Sequence, residues 1–250
     1  MVSERLGYAL AALVAVLALA FGFAAGQWVV AAIVLGVALA LALGVFVESG
    51  PDSAKEVALI ATLTGIAVAG RLLVHPFPGV QPMTVIVIAA GAAFGLRIGI
   101  SVGALAALVS NFFLIQGPWT PWQMALWALC GAIGAIGSSL ARRRLSFALM
   151  CGLLAYGFST AMDVSDWWYR YAHSWAGLAI SVTTGFPFTL AHALGSFAIA
   201  FVVGPELCRM LARFSLRLHT EVVWAETSSP ALVHEQAAAD EEVLAGQVAI

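Results

Sequence analysis

The residues able to do chemistry in this 250-residue chain are mostly amides, indoles and a histidine rather than paired acids. The densest group is QGPWTPWQM, residues 116–124, which packs two glutamines, two tryptophans and two prolines into one short stretch. Asn111 lies just before it, and Gln123 and Trp127 are spaced i, i+4, so on a helix they share a face that continues through Gly131 and Gly134. A second group, DVSDWWYRYAHSW at 163–175, supplies Asp163, Asp166, Trp168, Arg170 and His173. A third, Thr189, His192 and Ser196, recurs at helical spacing. Rings beside a few convergent donors and acceptors suit a pocket for a large, flat, polar small molecule. The rings give stacking area at low entropic cost, and amides and an imidazole fix orientation.

Each feature also has an ordinary role. Interfacial Trp and Tyr form aromatic belts, Asn111 and His192 can bond one helix to another, and Arg170 with Asp166 makes a solvated i, i+4 pair. Enzyme chemistry finds little support. The chain has no HExxH or GxxxxGK[ST] motif, and His192 with Ser196 at i, i+4 is a weak signal for a nucleophile and its base. No catalytic residue, metal site or cofactor is therefore expected. Cys130, Cys151 and Cys208 lie far apart without a CxxC and read as small apolar residues.

The elements that must position these groups follow from composition. With 62% hydrophobic and 10% charged residues and a mean hydropathy of +0.99, the chain cannot cover a soluble core with polar surface. No acidic residue occurs between Glu56 and Asp163. The expected fold is all-α, a polytopic integral membrane protein. A span takes about 20 apolar residues, which places helices near 6–25, 28–47, 55–74, 82–95, 98–115, 121–141, 146–162 and 176–208. The first has too long an apolar run for a signal peptide. Pro187 suggests a kink or a short interfacial helix within the last, and Thr120 is the expected N-cap before Pro121.

With a cytoplasmic N terminus, eight alternating spans put nine of the eleven basic residues inside and leave only Arg71 and Arg170 outside. The aromatic loops then face outward, both termini lie in the cytoplasm, and Pro76, Pro78, Pro118 and Pro121 stiffen the loops flanking the polar groups. Residues 218–250, acidic and without Lys or Arg, read as a disordered cytoplasmic tail. No basic tract suggests nucleic acid. Buried carboxylates of the kind that couple transport to an ion gradient are not expected, because Glu48, Glu56, Asp163 and Glu206 all map to helix ends. Small residues at intervals of four, Gly91, Gly95, Gly99 and Gly103, then Ala61, Gly65 and Ala69, with Gly131, Gly134 and Gly137, mark faces where helices approach closely.

The runs GRLLVHPFPGVQPMTVIVIAAGAAFGLRIGISVGALAALVSNFFLIQGPWTPWQMALWALCGAIGAI (70–136) and GFPFTLAHALGSFAIAFVVGPELCRMLARF (185–214) resemble the substrate-binding S component of energy-coupling factor (ECF) vitamin transporters. The similarity covers about 54–214, with the WTPWQM loop its most specific part. The resemblance implies a six-helix core at 51–217, preceded by two additional helices in 1–50 that depart from the family's pattern. It implies high-affinity capture of a water-soluble vitamin, cobalamin or a riboflavin-like compound, at the outer face of the cell membrane. Uptake would then use a transmembrane scaffold protein and two ATPase subunits. The residues expected to bind are Asn111, Gln116, Trp119, Gln123, Trp127, Trp168, Arg170 and His192, and Ala61, Gly65 and Ala69 match the family's scaffold-contacting motif. Two rivals stay open: a stand-alone facilitator or exporter, and an intramembrane enzyme.

Overall fold

The computed structural model describes residues 53–171 and 173–218, and parts of 10–42, among them the helical runs 13–18 and 33–38. The expected spans near 6–25 and 28–47 are described only in part, their described residues being helical, and the tail from 219 onward falls wholly outside the described residues.

Among the described residues the chain is all-helical: α1 (Ser53–Leu73), α2 (Pro82–Phe94), α3 (Leu96–Leu114), α4 (Thr120–Ile136), a 3-10 turn at Leu140–Arg142, α5 (Arg144–Arg170), α6 (Trp175–Val202) and α7 (Gly204–Leu218). Four of these, α1, α3, α5 and α6, are long and apolar enough to cross a membrane. The surface has the character of a membrane-embedded chain, because large apolar side chains such as Leu153, Leu194 and Val202 point outward while Arg71, Thr84, Asn111, His192 and Ser196 are buried. A water-soluble domain has the opposite distribution.

Glycine sets how closely the helices approach. A Cβ on Gly131 of α4 would overlap the backbone of Gly99 on α3, and one on Gly103 would overlap the backbone of Trp127. A Cβ on Gly134 would run into the backbone of Ile88 on α2. The α2, α3 and α4 backbones therefore touch along the glycine stripes, as small-residue faces do in lipid. The α2–α3 junction is the single residue Gly95, whose φ of 90° favours glycine.

α3 and α4 run antiparallel, with Gly99 against Gly131 and Gly103 against Trp127, and loops 74–81 and 115–119 meet at one end of the bundle, here called the Trp119 end. The other end carries Arg142, Arg144 and Arg209, and there Arg97 meets Glu56 at 3.5 Å, tying the start of α1 to the α2–α3 junction.

Three boundaries differ from expectation. The fifth helix runs on to Arg170, so residues 163–170 of DVSDWWYRYAHSW are helical and not a loop. No Pro or Gly interrupts that stretch, and the next helix begins only at the Ser174 cap, whose hydroxyl accepts from the Gly177 N–H at 3.1 Å. Asp163 consequently lies inside a candidate span rather than at a helix end. Pro187 sits within an unbroken α6, and the chain breaks instead at Val203, after which α7 starts at Gly204 with Pro205 and Glu206 in its first turn. At the start of α4 the cap position is Trp119, and Thr120 is already helical.

Candidate functional site

Each of the six helices α1 to α6 contributes to one polar system in the bundle interior. Arg71, near the end of α1, is 7% exposed. Its Nη1 donates to Ser110 Oγ at 2.5 Å and to Asn111 Oδ1 at 3.0 Å, both on α3. The guanidinium carbon lies 4.8 Å from the centroid of the Trp127 ring on α4, a cation–π contact. Asn111 passes the connection on, since its Nδ2 donates to Gln123 Oε1 at 2.8 Å and to Thr120 Oγ1 at 3.1 Å. Thr120 in turn donates to Gln116 Oε1 at 2.8 Å, and Gln116 Nε2 donates to the Leu108 carbonyl at 3.0 Å. The turn that brings Gln116 back to α3 uses Ile115 at φ 86°, a strained conformation for a β-branched residue.

On the other side of Trp127 the system continues into α2, α5 and α6. Trp127 Nε1 donates to Thr84 Oγ1 at 3.0 Å, and Thr84 Oγ1 lies 2.8 Å from His192 Nε2. Ser159 Oγ lies 2.8 Å from His192 Nδ1. With Thr84 accepting from Trp127, we assign its own proton to Nε2, which leaves a neutral ring donating from Nδ1 to Ser159. Phe158 closes the group, its ring 4.2 Å from that of Trp127 and 5.5 Å from that of His192.

Beside this system, at the Trp119 end, is a cavity of about 360 Å3. Its walls include Arg71 and Asn111, the loop residues Phe77 and Gln81, and Leu114 and Trp119. Two glycines shape it. Gly79, at φ 82°, lets loop 74–81 settle on α6, where a Cβ would come 2.6 Å from that of Ala191. Gly117 lies flat against the Trp119 ring, where a Cβ would come 2.5 Å from it.

The expected site residues thus divide. Asn111 and Trp119 line the cavity. Gln116, Gln123, Trp127 and His192 are held in the internal network, with Trp127 and His192 fully buried. His192 spends both ring nitrogens on Thr84 and Ser159, and the Ser196 hydroxyl, one turn away, has no hydrogen-bond partner. Trp168 is 60% exposed and stacks on His173 at 4.8 Å. Arg170 pairs with Asp166 at 3.4 Å, and neither Trp168 nor Arg170 is among the cavity residues. Pro78 is in the cavity wall, whereas Pro121 lies in the first turn of α4. Ala61, Gly65 and Ala69 lie on an exposed face of α1, with nothing within 4 Å of a Cβ on Gly65.

Sequence reasoning missed Arg71, Thr84, Ser110, Ser159 and Gln81. For Arg71 a signal was present: it is one of two basic residues on the wrong side of an otherwise consistent charge pattern. An intramembrane cation that breaks such a pattern is costly, and it marks a site. The hydroxyls carry no comparable signal, because Ser and Thr bond to their own helix backbone in lipid as readily as to a neighbour.

Residues 51–210 match the model of a family of unknown function (DUF6580). Among curated proteins and among solved structures nothing matches.

Proposed function

The chain belongs to the DUF6580 family, and we propose that it is a membrane-embedded binding protein that captures a small water-soluble compound, of the vitamin class, at the Trp119 end. The observation that carries this reading is the cavity itself: its walls come from α1, α3, α6 and two loops, and the hydrogen-bonded interior beneath holds Arg71 and Asn111 in place before any ligand arrives. A preformed pocket of that kind favours binding. The arginine-rich end would face the cytoplasm by the positive-inside rule, so the cavity opens outward. At about 360 Å3 it stands at the small end of ligand pockets, roughly 300–1,000 Å3. That supports a compound of flavin size or smaller over a corrinoid.

In this reading the chain is an S component, and the energy for uptake comes from two ATPases acting through a transmembrane scaffold protein that docks on the exposed Ala61, Gly65 and Ala69 face. The expected result is binding by the purified chain alone, with uptake by cells only when the coupling module is co-expressed. Gly65→Leu, at an open position, retains binding and lowers module-dependent uptake at least about tenfold by blocking close helix approach. Uptake without any module would overturn the S-component assignment.

One observation favours a second reading, a stand-alone facilitator coupled to protons. Asp163 lies within the α5 span and accepts from Thr189 Oγ1 of α6 at 3.2 Å, and intramembrane carboxylates are the usual proton carriers. On this reading Asp163→Asn abolishes module-independent uptake. Uptake unchanged by that substitution removes it.

A further inference from the structure

We propose that the compound held in the cavity carries a carboxylate, and that Arg71 is the residue that recognises it. This rests on reading the cavity as the ligand site and adds the chemical class of the ligand.

Arg71 is a buried cation whose partners, Ser110 Oγ, Asn111 Oδ1 and the Trp127 ring, are all neutral. They orient the guanidinium without cancelling its charge, and among the described residues no carboxylate pairs with it. Only one of its two terminal nitrogens is used in those bonds. Nε is buried with no hydrogen-bond partner, and Nη2 makes no hydrogen bond among the described residues, so one complete edge of the guanidinium is unsatisfied. An edge made of Nε and one terminal nitrogen is the fork that receives a carboxylate through two parallel bonds. A buried cation left in this state is strongly disfavoured unless something completes it.

Charge and polarity in the rest of the lining narrow the ligand. Arg71 is the sole arginine or lysine in the cavity wall, and no acid accompanies it. One fixed positive charge matches a monoanion better than a phosphate dianion. Gln81, also in the wall, has a buried Oε1 without a partner, which provides an acceptor for an N–H or O–H elsewhere on the same molecule. Trp119, Phe77 and Phe188 supply ring surface for its body. The ligand is therefore a small monocarboxylic acid with an unsaturated or cyclic body and at least one hydrogen-bond donor.

The test uses the full chain in lipid nanodiscs, dialysed to equilibrium against a defined mixture of 4-aminobenzoate, 4-aminobenzamide, biotin, biotinamide, riboflavin and cobalamin, with retained compounds quantified by mass spectrometry. Wild type, Arg71→Gln and Leu114→Trp, which fills the cavity away from the Arg71 bonds, are compared. The expected result is retention of an acid over its own amide by about tenfold or more, as a charge-assisted pair provides. That preference disappears in Arg71→Gln, and all retention disappears in Leu114→Trp. If riboflavin, cobalamin or an amide is retained best, or if the acid preference survives in Arg71→Gln, the carboxylate assignment is overturned. The cavity reading then stands provided Leu114→Trp still abolishes retention. Retention of none of the six by wild type overturns both. Should Arg71→Gln fail to yield folded protein, the acid-to-amide ratio of wild type decides alone.

Discussion

Trp127→Ala lowers the stability of the bundle by about 3–5 kcal/mol, the usual cost of emptying a large buried aromatic site. The ring is fully buried, packs on Phe158 at 4.2 Å and lies beneath Arg71. In lipid little of this loss is a transfer term. It comes from forfeited packing contacts and from the Thr84 hydroxyl losing its donor. Trp127→Phe separates the two, since it restores most of the packing but not the indole N–H, and costs about 1–3 kcal/mol. Thermal unfolding in detergent, followed by circular dichroism, reads both. If Trp127→Ala instead unfolds at the wild-type temperature and loses only ligand binding, the ring is a wall of the ligand site and not a core residue.

Gly131→Leu prevents assembly of the bundle. Around Gly131 the neighbours are the backbones of Gly99 and Gly91, and backbone cannot rotate aside as a flexible side chain can. Even a methyl group in such a site costs about 1–3 kcal/mol, and a branched side chain costs more. The measurement is the yield of monodisperse protein in size-exclusion chromatography, compared with Gly157→Ala on α5. Nothing lies within 4 Å of a Cβ at Gly157, so that variant purifies like wild type or unfolds slightly higher, because alanine is the better helix former. Equal yields from the two variants would refute the glycine contact between α3 and α4.

Hydropathy and spacing made the helices legible, and the Gln123, Trp127, Gly131, Gly134 face of α4 turns inward as its i, i+4 spacing requires. The boundaries were less so. The stretch 163–170 is polar enough to pass for a loop, yet it continues α5 because no residue in it ends a helix. Pro187 suggested a kink or a short interfacial helix, and α6 continues through it without a separate interfacial helix. Within the site, Asn111 and Trp119 were readable as cavity residues, but Gln116, Gln123 and His192 were not separable from them. An amide that binds a ligand and one that binds its neighbour have the same side chain, and only the partner's position distinguishes them. Arg71 was visible as an anomaly of charge placement, while its neutral partners Ser110, Thr84 and Ser159 were camouflaged among hydroxyls that any apolar helix tolerates.

Membership of the interior network is distributed with at least one residue from each of α1 to α6, and that distribution fixes how the helices align in depth. Arg71, Thr84, Asn111, Gln123, Ser159 and His192 find their partners only when the helices stand at matching depths. A helix inserted one turn too high or too low, a displacement of about 5.4 Å, turns a satisfied amide or hydroxyl toward hydrocarbon, where nothing can replace the lost bond. Lipid by itself is nearly indifferent to such slippage along an apolar helix. The polar chain is what discriminates, so it selects one relative depth for the six helices.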